Sequence, residues 1–480
     1  MNNEKTIALR AVEEKARLVR TAAEKVWEYA ELSLQEERSA EVLCRICESE
    51  GFTVERGVCN IPTAFTASFG SGKPKIGFLA EYDALSGLSQ KAGRVEQEDL
   101  IPGGCGHGCG HNLLGAGALG AALGVKAWLE ATGNSGTVIL LGCPGEEGGA
   151  AKAFMAREEL WRGLDAALTW HPDDANEVVT GSTNACIQVQ YKFHGVASHA
   201  AGAPEKGRSA LDAVELMNIG VQFLREHMSD RARVHYAITD GGGRSPNVVQ
   251  PTATVLYMVR SDKVAEAVSL QNRVDKIAQG AALMTETTYD RLFIDGLAET
   301  IPNHTLERLL QKNFEEAGVP KYSREELAFA GALAKTCPGA DAVPGSGSAC
   351  DDAYADHAAR LQKDCGHAMN DFLLPLFTGS SFNPGSSDVG DVSWQTPVGQ
   401  IHVAAWPNGC PGHSWQSVSC AGTELGFKAA VHAGKVLAAA AVDLMTRPEV
   451  LSQARAEFEK ATRAGYTCPI PPEAVPVVPD

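Results

Sequence analysis

Four side chains that commonly bind metal ions lie within seven residues, in the glycine-rich stretch 103–112. They are Cys105, His107, Cys109 and His111. The glycines between them allow tight turns, so alternate side chains can converge on one point. The C-x-H-x-C-x-H spacing is too crowded for all four to bind one ion, unlike the paired spacing of structural zinc sites. The stretch therefore predicts a metal site that uses part of this set; a structural zinc knuckle and a cluster of reduced core thiols are the alternatives.

More ligand-type side chains follow the ends of three buried strands. Glu81 and Asp83 follow the first, the adjacent Glu146 and Glu147 follow the second, and His171 follows the third. In open α/β sheets, sites form where the carboxyl ends of strands meet. Successive residues of an extended chain point in opposite directions, so one glutamate can face a metal while its neighbour faces a substrate.

The elements that position these residues predict an α/β fold, a mixed sheet with helices on both faces. Apolar residues recur at three- and four-residue steps through 4–51, which predicts two helices. The remaining predicted elements are strands at 63–69 and 75–79, a buried helix over 113–129, a strand from 136 and a strand over 165–170.

The pattern changes near Cys186, where alternation with period two begins and indicates a half-exposed strand. The order that follows is β-α-β-β-α-β, the split βαβ or ferredoxin-like arrangement of an α+β unit. We therefore predict a catalytic domain formed by 1–186 and 302–480, with an inserted dimerisation or lid domain at 187–301. The helical pattern resumes at 302, residues 332–387 are expected to form a surface insertion of little periodicity, and a helix over 422–445 closes the fold.

Composition limits the class of protein. At 480 residues the chain is too long for a single core. A formal charge of −17 argues against binding to nucleic acid or to an anionic membrane surface. Thirteen cysteines without a secretory signal predict reduced thiols and a cytoplasmic location. No segment is expected to be apolar over the length needed to cross a bilayer.

Taken together, these motifs resemble those of the metal-dependent amidohydrolase and carboxypeptidase family that includes aminoacylases and carboxypeptidase G. The resemblance extends over most of the chain, at residues 81–85, 106–115, 143–149, 166–172, 198–201, 207–214, 245–250, 387–394 and 468–471. Asn112 is one departure, because many acyl-amino-acid hydrolases have Asp at that position.

The resemblance implies a site for two divalent metal ions, manganese or zinc. The implied ligands are Cys109, His111, Glu147, His171 and His413.

The resemblance also implies the residues that act on the substrate. Glu146 matches the catalytic carboxylate, whereas His199, Asn247 and Arg260 match residues that bind the substrate carboxylate or the reacting carbonyl. His199 is thus both a catalytic and a substrate-binding candidate, because it could donate a hydrogen bond to the tetrahedral oxyanion. Cys105 and His107 have no implied ligand role and are expected to be supporting or structural.

The chemistry of the residues agrees with an amidohydrolase. A metal ion lowers the pKa of a bound water toward about 7 and polarises the carbonyl of the amide. Glu146 would take the proton of the water and pass it to the leaving amine, a role worth roughly 10²–10⁴-fold in rate.

The expected substrate is an N-acyl amino acid, with glutamate N-acylated by an aromatic acid such as aminobenzoate favoured by the donor pair Arg260 and Asn247. The expected assembly is a homodimer through 187–301, or a hetero-oligomer with a paralogous subunit. The alternatives within the family are an aminoacylase or a dipeptidase. Outside it they are a metal-binding protein without turnover, and a hydrolase with Cys109 as its nucleophile, which would need a thiolate free of metal.

Overall fold

The computed structural model describes residues 3–345 and 350–478, which form two main β-sheets and fourteen α-helices. The helices are α1 Asn3–Glu14, α2 Ala16–Tyr29, α3 Glu37–Ser49, α4 His111–Thr132, α5 Ala151–Arg157, α6 Ala210–Arg225, α7 Val264–Thr285, α8 His304–Ala317, α9 Arg324–Ala334, α10 Asp352–Cys365, α11 Val389–Ser393, α12 Trp415–Ala421, α13 Glu424–Thr446 and α14 Pro448–Ala461.

The described residues also form thirteen strands. They are β1 Thr53–Arg56, β2 Phe65–Ser71, β3 Lys75–Ala80, β4 Gly136–Gly142, β5 Ala166–Asp173, β6 Glu177–Val178, β7 Ser182–Thr183, β8 Ala185–His194, β9 Arg233–Asp240, β10 Thr252–Ser261, β11 Thr288–Leu297, β12 Phe382–Asn383 and β13 Val398–Ala404.

The larger sheet is mixed and has seven strands in the order β1-β2-β4-β3-β5-β13-β6. Strand β3 runs parallel to β4 and to β5, and β13 runs parallel to β5. Alternate residues enter two different cores: Phe78 packs with α4 and α13 on one face, whereas Leu79 packs with α5 on the other. Both faces are therefore covered by helices, which explains why these strands are apolar on both sides. The predicted α/β fold class is confirmed.

The second sheet has four antiparallel strands in the order β11-β8-β10-β9. In chain order its elements are β8, α6, β9, β10, α7 and β11. This is the predicted β-α-β-β-α-β arrangement, and α6 and α7 pack together over β8 and β10. The sheet begins at Ala185, two residues before the predicted start of the inserted domain. The limits 1–186, 187–301 and 302–480 stay a prediction, because they concern folding units and not elements.

Three expectations from the sequence were wrong in detail. The first part of the chain has three helices instead of two, because α1 and α2 are separated at Lys15, whose backbone is not helical (φ −92°, ψ 4°). Within 332–387, where little periodicity was expected, the chain forms helix α10. The Asp351 side chain caps this helix by accepting a hydrogen bond from the Tyr354 N–H. Residues 346–349 of this stretch lie outside the described residues. A further helix, α14, follows the predicted last helix.

Helices α4 and α13 also correct the expectation about membrane-length segments. Each is long and apolar enough to cross a bilayer by length and composition alone. However, 89% and 83% of their apolar windows are buried inside the protein, where the two helices pack against each other. Their apolar character is explained by their position in the core.

Candidate metal centre and active site

The candidate site lies at the edge of the larger sheet where three parallel strands end. Glu81 and Asp83 follow β3, Glu146 and Glu147 follow β4, and His171 lies near the end of β5. Because β3 is parallel to both neighbours, these ends meet at one edge. The loop that contains Cys109 and the start of α4 cross this edge.

A glycine brings the start of α4 close to β5. Gly110 precedes His111 with a left-handed backbone (φ +75°), and a Cβ atom there would lie 2.6 Å from Cγ of Pro172. Both the backbone angle and the close approach therefore require glycine. This turn places Cys109 Sγ 3.3 Å from Nε2 of His171.

Asp83 connects the three parts of the site. Its carboxylate accepts hydrogen bonds from Nδ1 of His111 at 2.8 Å, from the backbone N–H of Glu147 at 2.9 Å and from the Ser33 hydroxyl at 2.8 Å. Burial alone would raise the pKa of Asp83, but the contacts with His111 outweigh it and the pKa lies below its usual value. The ionised carboxylate fixes the tautomer of His111 so that Nε2 points into the site.

The predicted ligands form overlapping groups. The ligand atoms of Cys109, His111 and His171 lie within 4.8 Å of one another, and so do those of Cys109, Glu147 and His413. Cys109 belongs to both groups, so its sulfur lies between two adjacent positions. His413, from the chain before α12, reaches Oε1 of Glu147 at 3.4 Å, and its own backbone N–H donates to the carbonyl of Gly108. The structure thus brings all five predicted ligands together.

These groups fit divalent cations. Nε2 of His111 and Oε1 of Glu147 are buried and form no hydrogen bond in the part of the chain that the structure describes, although each has an ionisable neighbour, Oε2 of Glu81 at 3.3 Å and Nε2 of His413 at 3.4 Å, respectively. A buried polar atom without a hydrogen bond costs about 1–3 kcal/mol, and cations bound at the two groups would remove that cost. The donor set of thiolate, imidazole and carboxylate suits zinc and related metals.

The acidic side chains at this edge outnumber the basic ones. The buried amine of Lys152 pairs with Glu81 at 2.8 Å and with Asp388 at 2.5 Å. Burial raises the pKa of Glu146 well above its usual value, and the nearby carboxylates of Glu81 and Asp388 raise it further. Added positive charge would lower the cost of holding these carboxylates together.

A cavity of about 270 Å³ opens onto this cluster. Its lining includes Glu146, Glu147, His171 and His413, with Ser386 and Gln400 among the other residues. Glu146 is half-buried at this cavity and belongs to a further group with His111 and Glu147. A substrate in the cavity would therefore lie against both the ligand groups and Glu146.

Sequence reasoning missed Lys152 and His402. The only signal for Lys152 is a lysine in the apolar run 150–156, which becomes the buried helix α5. His402 of β13 also lines the cavity, and its Nδ1 lies 3.0 Å from Asp173 and 2.9 Å from Glu177. Burial alone would lower the pKa of His402, but the two carboxylates have a larger effect and raise this pKa to about 10.

The three predicted substrate-binding residues lie in the second sheet and its loops. His199 and Asn247 are exposed neighbours, since the backbone N–H of Ala200 donates to the carbonyl of Asn247, but neither lines the cavity. Arg260, at the end of β10, lies nearer, because its Nη1 donates to the hydroxyl of Ser386 at 2.8 Å. The structure therefore does not bring His199 and Asn247 to the ligand cluster of their own chain.

The two other members of the Cys/His loop point elsewhere. His107 is buried, its Nε2 donates to the carbonyl of Val26 at 2.9 Å, and burial lowers its pKa to about 4. Cys105 lines a separate small cavity beside Trp27. The side-chain amide of Asn112 donates hydrogen bonds to the backbone carbonyls of Ala23 and Ala421, so it connects segments of the core.

Comparison with known proteins agrees with this geometry. Residues 77–332 match the model of peptidase family M20/M25/M40. The chain is 44% identical over 455 residues to the B subunit of p-aminobenzoyl-glutamate hydrolase from Escherichia coli, covering 95% of each chain. The chain belongs to the M20/M25/M40 peptidase family. As a member of that family it is a hydrolase that acts on amide bonds.

Two further proteins show the range of this similarity. The mouse Xaa-Arg dipeptidase is 28% identical over 469 residues, which cover 94% of this chain and 91% of the relative. A dinuclear metal-binding M20 peptidase from Bacillus subtilis superposes with a TM-score of 0.55 at 16% identity, over 90% of this chain and 99% of that one. At that identity the likeness shows the fold alone.

Proposed function

We propose that this peptidase binds two divalent cations, zinc or manganese, and hydrolyses the amide between an aromatic acyl group and glutamate. The observation that carries the proposal is that Cys109 belongs to two adjacent groups of potential metal ligands. The carboxylate of Glu146 lies beside both groups. The name of the Escherichia coli relative supports p-aminobenzoyl-glutamate as the substrate class.

Five side chains would hold the cations: Cys109, His111, Glu147, His171 and His413. Bound cations would supply the Lewis acidity that hydrolysis of an unactivated amide requires. Asp83 orients His111 from behind, as carboxylates commonly do for histidine ligands. Lys152 holds Glu81 and Asp388 in place beneath the cavity.

Glu146 is proposed as the general base and acid. It lines the cavity beside the proposed ligands without being one of them, and burial raises its pKa well above its usual value. A base of raised pKa is better matched to neutral pH than an ordinary carboxylate. It would accept a proton from the attacking water and return it to the nitrogen of the leaving amino acid.

The pair Glu146 and Glu147 offers a matched test of these roles. We expect Glu146→Gln to keep its bound metal and to lose roughly 10²–10⁴-fold in kcat. Glu147→Gln should lose metal as well as activity, because its carboxylate is a proposed ligand. Metal analysis and steady-state rates of both variants provide the measurement; a Glu146→Gln variant with near-full activity would contradict the mechanism.

Arg260 is proposed to bind the α-carboxylate of the substrate. Its guanidinium donates to Ser386, which lines the cavity, and in residues 3–345 and 350–478 no carboxylate is in direct contact with it, although its charge interacts with that of the buried Asp295. A guanidinium that makes no direct contact with an internal carboxylate can bind an external one in the bidentate manner.

If Arg260 binds this carboxylate, Arg260→Lys should lower kcat/KM about 10- to 100-fold, because the charge remains but the fork geometry is lost. Amidating the α-carboxylate of p-aminobenzoyl-glutamate should cost the parent enzyme a similar factor and the variant little more. Independent, additive losses would show that Arg260 does not bind the carboxylate. The same assays with Xaa-Arg dipeptides test the dipeptidase alternative that the mouse relative suggests.

The second sheet is proposed to form a homodimer. The outer strand β9 has one unpaired edge in the described sheet, and several large apolar side chains beside it on α6 and β9 are exposed. These are Ile219, Phe223, Tyr236 and Ile238, with Phe223 72% exposed. Edges and apolar patches of this kind are usually covered by a partner. Because the Escherichia coli relative is named as one subunit of its enzyme, a hetero-oligomer with a paralogous chain is the second form of assembly.

In such a dimer His199, which lies away from the cavity of its own chain, would act in the partner's site. Mixtures of His199→Ala and Glu146→Gln subunits, each inactive alone, should then recover part of the activity. Phe223→Glu should give monomers in sedimentation velocity, whereas the matched control Ile101→Glu, at an exposed residue outside the second sheet, should not. No recovery in a mixture shown to exchange subunits would contradict the shared site.

A further inference from the structure

A second cluster of metal-binding side chains lies at the end of α10, outside the active site. The helix ends at Cys365, and Gly366 then reverses the chain with a left-handed backbone (φ +76°). This turn brings the side chains of Cys365, His367 and Asp371 together. Their ligand atoms all lie within 4.8 Å of one another.

The distances between these atoms are within about 0.2 Å of the edges of a tetrahedral zinc site. Sγ of Cys365 lies 3.5 Å from Nδ1 and 3.7 Å from Nε2 of His367, and 3.2 Å from Oδ1 of Asp371. Nε2 of His367 lies 3.4 Å from Oδ2 of Asp371. Zinc bond lengths of about 2.3 Å to sulfur and about 2.0–2.2 Å to nitrogen or oxygen give edges of roughly 3.4–3.6 Å in a tetrahedron.

Hydrogen bonding alone explains this packing less well. The carbonyl of Met369 lies 3.0 Å from the same sulfur, so three potential acceptors surround a thiol that has one proton to donate. A cation at the centre would be attracted to all of them at once. His367 and Asp371 are 26% and 34% exposed, which lets an ion enter from solvent and still leaves it partly shielded.

We propose that Cys365, His367 and Asp371 bind a divalent cation of the zinc class, in addition to the cations of the active site. The thiolate, imidazole and carboxylate donors favour zinc over magnesium or calcium. Three protein ligands leave the fourth tetrahedral position to water.

The role of this cation would be to fix the segment around α10 to the larger sheet. Asn370, inside the cluster, donates to the carbonyl of Asp174 and to the side chain of Asn408, both at 2.8 Å, and its own carbonyl accepts from Asn176 at 2.6 Å. These partners lie just after β5, before β6 and after β13. The cation would therefore hold the turn in the shape that presents Asn370 to the sheet.

Metal content tests the proposal without reference to activity. The full chain is stripped with a chelator under reducing conditions, reloaded with Zn²⁺, passed through gel filtration and analysed for zinc per chain. Cys365→Ser, His367→Ala and Asp371→Asn should each bind one equivalent less than the parent. Cys350→Ser, a half-buried cysteine of the same part of the chain, should bind as much as the parent. Equal zinc content in the parent and in the folded cluster variants would overturn the proposal.

Cobalt provides a second readout that identifies the sulfur. In Cys109→Ser, which lacks the active-site thiolate, Co²⁺ should still give thiolate-to-cobalt charge-transfer absorption, and this absorption should vanish in Cys109→Ser/Cys365→Ser. Its absence from Cys109→Ser, or its survival in the double variant, would show that Cys365 does not bind the metal. Neither result depends on whether the chain hydrolyses the proposed substrate.

Discussion

The carboxylate of Asp83 is the contact on which the candidate site depends. It receives the imidazole N–H of His111 from the start of α4 and the backbone N–H of Glu147 from the turn after β4, while it is itself fixed by the end of β3. A third donor, the hydroxyl of Ser33, comes from the chain between α2 and α3. One buried anion thus sets the relative position of three segments, and a buried anion is stable only when it is paired or hydrogen-bonded. The direction of the His111 ring and of the Glu147 backbone both follow from it.

The excess of carboxylates over basic side chains at the sheet edge explains why the site suits bound cations. Glu81, Glu146, Glu147 and Asp388 lie close together at the sheet edge, and the buried Lys152 pairs with two of them. Buried charges without partners are costly, so this arrangement is stable when further positive charge is bound between the carboxylates. Two divalent cations at the groups that share Cys109 would supply it. Burial raises the pKa of Glu146, the carboxylate proposed to move the proton, and the carboxylates of Glu81 and Asp388 raise it further.

The sequence predicts the parts of the site that depend on strand ends. Buried strands are visible as apolar runs, here followed by Glu, Asp or His, and parallel strands bring their ends together. For this reason Glu146, Glu147 and His171 could be grouped at one sheet edge without a structure, and Cys109 and His111 could be placed there through the loop that precedes the buried helix. His413 was found only through resemblance, since nothing in its local sequence indicates that its backbone N–H binds the carbonyl of Gly108.

Contacts between distant segments could not be predicted in this way. Lys152 and Asp388 are 236 residues apart, and no local pattern links a lysine in an apolar helix to that aspartate. His199 and Asn247 could be grouped by resemblance, yet their distance from the cavity of their own chain depends on how the second sheet is placed. Helix α10 was missed because its short amphipathic sequence has only one fully buried apolar residue, Ala358, so the apolar period on which prediction relies is weak.

The most direct test of the two-cation centre is a calorimetric titration of the metal-free protein with Zn²⁺ and Mn²⁺, made in the Cys365→Ser background so that the second cluster is not counted. We expect two bound cations per chain. We also expect Asp83→Asn to weaken their binding about 10- to 100-fold, because the orienting partner of His111 is lost, whereas Ser33→Ala, which removes only a donor to Asp83, should have a smaller effect. Full-affinity binding of both cations by Asp83→Asn, or binding of none by the parent, would contradict this centre and the role of Asp83 in it.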